Sequence, residues 1–103
     1  MTYRNKSILK AAKYAPHCMS CMNHNDGTVV AAHSNQQRDG KGMGHKADDY
    51  RVAYLCQTCH HLIDQGAGYD KQTRIDIWEA AHRKTVGWLF DSGILLVNLK
   101  GQE

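Results

Sequence analysis

The sequence predicts a small α+β domain, and three observations predict it. Two short segments, Thr28–His33 and Tyr50–Leu55, are rich in β-branched or aromatic residues. The stretch from about Asp70 to Phe90 repeats apolar residues at helical spacing. Leu, Ile, Val and Phe together number only 18 of 103 residues, a thin supply for a core, so the fold needs a staple. A net charge of +3 does not meet the high-charge signature of disorder, and the length suits a single domain, 1–103. No apolar run approaches the roughly 18 residues of a membrane span. The polar start Met1-Thr-Tyr-Arg-Asn-Lys does not read as a signal peptide. The expectation is a cytoplasmic protein with no membrane partner. A pI of about 8.7 is compatible with a nucleic-acid partner without requiring one.

Each element has its own local reason. Ser7–Tyr14 reads as a short helix with Ser7 as N-cap, stopped before Pro16. Thr28–His33 is a strand on its β-branched start, and the polar–apolar pattern of Tyr50–Leu55 predicts a second strand with one buried face. Between them lie 16 residues, 34–49, with Gly40, Gly42 and Gly44 among the basic Arg38, Lys41 and Lys46. Structureless loops of that length are uncommon in compact domains and are often functional; the plainer reading is a floppy hairpin loop. His60–Asp64 forms a short helix closed near Gly66. A longer helix follows over about 70–90, capped by Asp70, with Ile75, Trp78, Ala81, Thr85, Trp88 and Leu89 as its buried stripe. Asp91-Ser-Gly93 stops it, and Ile94–Leu99 is a terminal strand or an extended segment packed on the body.

The staple is in the cysteines. Cys-x2-Cys occurs at Cys18/Cys21 and again at Cys56/Cys59, 34 residues apart. Each pair can clip a metal, and four thiolates with no open position suit structural zinc. A lone Cys-x2-Cys would also fit a redox motif, but two in one thin-cored domain are better explained together. The gap exceeds the roughly 15–20 residues of a simple zinc ribbon, so a substantial insert separates the knuckles.

The seven histidines are not equivalent. His17 reads as a spare ligand or as surface, His24 as a solvated turn residue, and His82 as a structural histidine beside the apolar stripe. His33 ends the first strand and His60 directly follows the last zinc cysteine. If the strands pair, both should sit near the zinc end of the hairpin. An imidazole facing a helix-borne metal ligand is what phosphodiester hydrolysis needs: one group activates water and the other holds a cation against the phosphate. Two unrelated histidines would satisfy the same spacing.

Taken together, Cys18/Cys21, Ala31-Ala32-His33, the 34–49 loop, Tyr50–Leu55 and Cys56-Gln-Thr-Cys59-His60 resemble the HNH (ββα-metal) nucleases, with a motif core over about 17–66. More narrowly, the chain is similar to the prophage-encoded YbcO-like nuclease family. The shared features are Lys10-Ala-Ala, Ala32-His33, the Gly40–Asp49 segment, Cys-x2-Cys-His with Ile63-Asp64, and Trp88-Leu. The resemblance implies a zinc-stabilised ββα-metal domain with a longer C-terminal helix, acting as a metal-dependent DNA endonuclease in a phage or prophage-bearing cell. It implies His33 as general base and His60 as ligand of a catalytic Mg²⁺-like cation, distinct from the zinc. Asp49 would share that cation or orient His33, with His45, Asp48, His61 and Asp64 as weaker candidates. Arg38, Lys41 and Lys46 would hold the DNA backbone, and a phage or host recombination protein is a further partner. Two positions depart from the pattern: Ala32 stands where many of these enzymes place an Asp or His ligand, and Arg51 stands where a central Asn is expected. The rival reading is a non-catalytic zinc-bearing nucleic-acid-binding module, a degenerate nuclease with Ala32 as the scar.

Overall fold

Asn5, not Ser7, opens the first helix in the computed structural model, which describes residues 3–42, 45–66 and 68–97. Its extended backbone lets Oδ1 accept from the N–H groups of Ser7 and Ile8, so Ser7 falls inside α1 (Lys6–Lys10). The helix tightens into a 3-10 turn over Ala11–Tyr14 ahead of Pro16.

Two strands, β1 (Val30–His33) and β2 (Val52–Leu55), pair antiparallel with Val30 opposite Leu55 and His33 opposite Val52. The alternation expected of the second strand does not hold, because all four of its residues are buried. Tyr54 shows why. Its hydroxyl donates to the Ile8 carbonyl on α1, and its ring meets Trp88 edge-on at 6.0 Å. Its carbonyl accepts from Met19 N–H at 2.9 Å and its N–H donates to Thr85 Oγ1 at 3.0 Å. Elements on both sides and along the outer edge thus leave β2 no solvent face.

The long helix α3 (Lys71–Asp91) does most of that covering. Asp70 caps it by accepting from Thr73 N–H at 2.8 Å, as the sequence predicts. Three side chains of its inner stripe bond to the hairpin backbone: Trp78 Nε1 to Ala32 O, His82 Nδ1 to Val52 O, and Thr85 Oγ1 to Tyr54 N. Of the expected stripe, Trp78, Ala81, Thr85 and Leu89 are buried, while Ile75 and Trp88 are half-buried. Gly93, at φ +80°, takes the left-handed turn that ends the helix, with its N–H on Phe90 O and Leu95 N–H on Leu89 O. Beyond it Leu95 packs on the core but Leu96 is 79 % exposed, and no strand forms among the described residues. A two-stranded sheet with both faces and its β2 edge covered has nowhere to add one there. Asn98 and Leu99, the end of the expected strand, lie outside the described residues.

The shorter helix α2 (Gln57–Gln65) starts three residues earlier than expected, with Cys56 in the N-cap position. It stops at Gly66, where a Cβ would come within 1.9 Å of Leu62 O. The 34–49 loop is not structureless. It contains a 3-10 turn at Gln37–Asp39 and a bridge between Gly42 and His45; Gly44 lies outside the described residues. Ser34 Oγ donates to Asp39 Oδ2 at 2.6 Å, and Arg51 Nη2 joins Asp39 to Glu79 on α3. Among the described residues no helix is long and apolar enough to cross a membrane.

Candidate metal centre and histidine cleft

The Cys18/Cys21 knuckle is folded by its own backbone. Cys18 N–H donates to Asn23 O, Met22 N–H donates to Cys18 O, and Met22 takes a left-handed φ of +65° to close the turn. The bond from Met19 N–H to Tyr54 O seats this knuckle beside the end of β2, where Cys56 begins the second one. Cys59 sits in the first turn of α2, and His60 N–H donates to Cys56 O at 2.9 Å.

The result is a cluster of four thiols whose Sγ atoms all lie within 4.8 Å of one another. Cys21 Sγ and Cys56 Sγ are 3.9 Å apart, against about 3.8 Å for the edge of a tetrahedron with Zn–S bonds near 2.3 Å. Cys18 is buried, Cys56 and Cys59 half-buried and Cys21 exposed. Burial resists ionisation of Cys18, but hydrogen bonds from the backbone of Cys56, Cys21 and Ser20 outweigh it and lower that thiol to about 7. Burial pushes Cys59 and Cys21 upward. A thiol ready to ionise beside two more reluctant ones, Cys21 and Cys59, is a set that a cation completes. The cluster fits a closed, four-coordinate structural zinc. His17 and His24, the nearby histidines, pair with each other as an isolated bridge, and His17 Nδ1 lies 3.0 Å from Cys18 O.

His33 is not at the zinc end of the hairpin. The register puts Val30 beside that end and His33 three residues away, opposite Val52. It is α2 that brings the second histidine to the first: His33 and His60 line one cleft, together with Asn35, Lys41, Lys46 and Asp64. The cleft floor is Ala31 and Ala32, and Ala32 is buried with its carbonyl taken by Trp78 Nε1.

Asp49 stands behind His33 and does not line the cleft. It is 2 % exposed and its two oxygens are already engaged. Oδ1 accepts from His33 Nε2 at 2.8 Å and from Arg4 Nη1 at 2.9 Å, and Oδ2 accepts from Asn5 N–H at 2.6 Å. Burial opposes its ionisation, yet the bonds from His33, Asn5 and Arg4 outweigh burial and hold the carboxyl below its usual range. Because a carboxylate only accepts, His33 must present Nε2–H to it, which leaves Nδ1 as the basic nitrogen.

On α2, His60 Nε2 and Asp64 Oδ2 are 3.1 Å apart, one helical turn from each other, and Asn35 Nδ2 donates to Asp64 Oδ1 at 3.0 Å. Asp64 and Asn35 therefore join the site more closely than the sequence suggests. The four-residue spacing from His60 was a readable signal for Asp64; nothing local points to Arg4, Asn5 or Asn35. The remaining candidates disperse. Asp48 accepts from Tyr3 N–H and Tyr50 O–H, His45 pairs with Gly42, and His61 is exposed on α2. Lys41 and Lys46 line the cleft, whereas Arg38 is 70 % exposed, reaches Glu79 at 3.4 Å and lines the groove next to the cleft.

Arg51, in the place of the expected Asn, is a clamp. It joins Asp39 and Glu79 and lies over the Trp78 ring, 4.8 Å from its centroid. Burial opposes ionisation of both carboxyls, but hydrogen bonds from Arg51, with Ser34 on Asp39 and Gln36 on Glu79, hold them below their usual range.

No family model, curated protein or solved structure matches the chain.

Proposed function

We propose that this chain is a metal-dependent DNA endonuclease of the HNH (ββα-metal) kind, with His33 as general base. The observation that carries the reading is the His33–Asp49 pair, with its imidazole lining the same cleft as His60, Asp64, Lys41 and Lys46. A buried carboxylate behind an imidazole sets the tautomer and stabilises the cation formed when the ring takes a proton. His33 Nδ1 then removes the proton from a water that attacks phosphorus. Lys41 and Lys46 offer charge to the phosphodiester without reading sequence.

His60 and Asp64 are the donors for a divalent cation, one imidazole and one carboxylate oxygen on a single helix face, steadied by Asn35. Such an ion supplies charge stabilisation at the phosphate and the departing oxygen. Asp49 is the positioning residue for His33 and not a cation ligand, since both its oxygens are committed elsewhere. Ala32, which has no ligating atom, leaves the cation to α2. The zinc-bearing cysteines hold the end of β2 and the start of α2, and so fix the helix that carries His60 and Asp64.

The test is cleavage of supercoiled plasmid across a Mg²⁺ and Mn²⁺ titration. His60→Ala should cleave poorly and recover in part at high metal, whereas His33→Ala should stay inactive at every metal concentration. If zinc-loaded wild type binds DNA yet never cleaves it, on duplex, single-stranded or branched substrates, the non-catalytic binding module is the correct reading.

A further inference from the structure

A hollow of about 150 Å³ opens beside the histidine cleft and shares Asn35 with it as a wall. Its apolar walls are Ile63, Ile75 and Trp78, and its polar rim is Asn35, Gln36 and Arg74. A cavity of about this size accepts one aromatic ring. Trp78 is a rigid wall, since it is stacked on His82 at 5.1 Å and carries Arg51 over its ring.

The rim is prepared for a heterocycle rather than a hydrocarbon. Gln36 Nε2 donates to Glu79 at 2.7 Å and Asn35 Nδ2 to Asp64 at 3.0 Å, which leaves each amide its oxygen and its second N–H. Arg74 Nη1 holds the Asp64 carbonyl at 3.1 Å and so fixes the rim against α2. Two amides, each with an acceptor oxygen and a spare N–H, beside apolar walls are complementary to the edge and faces of a base.

The surroundings commit the occupant to nucleic acid. The adjoining groove runs from the hollow to the cleft past Lys71, Arg38 and Lys41, so a strand laid along it keeps its phosphates against cations. We propose that the hollow receives an unpaired nucleobase flanking the phosphate that is cut, which makes the preferred substrate single-stranded or locally unpaired DNA. This rests on DNA being the substrate of the cleft. In intact duplex the same base would first have to leave its stack, at a cost of a few kcal/mol.

The experiment is fluorescence anisotropy of the zinc-loaded full chain, without added divalent cation, on a labelled single strand of about 12 nucleotides and on variants with one abasic site each. One position should lose about 5-fold or more in affinity when its base is removed, as expected for an apolar ring that leaves the hollow. Ile75→Trp, which fills the hollow from its half-exposed rim, should abolish that position's sensitivity while leaving salt-dependent binding. Should that variant misfold, 5-iodouracil placed at the sensitive position of wild type should photocrosslink to the segment from Ile75 to Trp78. Strong binding with no sensitive position, or a crosslink elsewhere, overturns the pocket and leaves the nuclease reading intact. Failure to bind any DNA overturns both.

Discussion

Replacing Asp49 with Ala removes the acceptor on which His33, Arg4 and Asn5 converge. The size of the effect can be built from its parts. A hydrogen bond to a charged, buried group contributes about 1.5–3 kcal/mol. The bonds from Asn5 N–H and His33 Nε2, at 2.6 and 2.8 Å, taken at the low end, give about 3 kcal/mol together. Arg4 is 45 % exposed and also holds the Lys46 and Ala47 carbonyls, so its share is below about 1 kcal/mol. A loss of about 3 kcal/mol in a domain of this size is a fall in Tm of about 12–24 °C. The carboxyl is depressed in the folded state, so its contribution is fully present above the unfolded value of 3.8 and is lost only as pH falls through the lower folded value. The carboxylate's own titration therefore adds nothing to the pH dependence of the penalty between pH 6 and pH 8. Asp49→Asn, which keeps one acceptor, should cost about half as much. Circular-dichroism melts of zinc-loaded protein measure both. A loss under about 1 kcal/mol for Asp49→Ala would refute the claim that this carboxylate is buried and triply bonded.

Three further outcomes follow from the same contacts. Cys56→Ser should lose stoichiometric zinc and most of the cooperative melt together, because metal binding of about 10–16 kcal/mol is folding free energy in such sites; elemental analysis and far-UV dichroism check it. His82, stacked on Trp78, has its pKa lowered mainly by burial, so the stability it gives is complete above the unfolded value of 6.5 and declines as pH falls below it. Urea titrations from pH 7.5 to 5.5 should show a slope of at most about 1.4 kcal/mol per pH unit from this group, absent in His82→Gln. Replacing Arg38, Lys41 and Lys46 together with Ala should weaken binding to unrelated DNA sequences alike. It should also flatten the dependence of log K on log salt by about 2, the Arg38 share being reduced by its contact with Glu79.

What could be read in advance was local. Cys-x2-Cys twice, Asp70 ahead of Thr73, and Trp78 and His82 among apolar residues each carry their meaning within a few positions, and the four-thiol cluster, the helix cap and the structural histidine follow. The misreadings all involve distant partners. Ser7 loses the cap to Asn5, whose neighbour Arg4 and own N–H are tied to Asp49 some 44 residues on. Tyr50–Leu55 reads as a strand with one buried face until α1 supplies a carbonyl for the Tyr54 hydroxyl and α3 a hydroxyl for its N–H. Asp49 reads equally as a cation ligand and as the residue that orients His33, because the groups that occupy its oxygens are not nearby in sequence. Asp64 is the exception: its place one turn after His60 is a local signal, but exposed helix carboxylates are common and the signal is weak until Asn35 joins it. The final segment looks strand-forming from Ile94 onward, yet β2 offers it no open edge.

The most direct measurement of the central claim is metal-dependent nicking of plasmid DNA by wild type and His33→Ala, matched for zinc content and for DNA affinity. Removing only the proton acceptor should lower cleavage by roughly 10²–10⁴-fold while zinc, fold and binding stay unchanged. Equal cleavage by the two proteins would contradict His33 as the base, and cleavage by neither would contradict the enzyme itself.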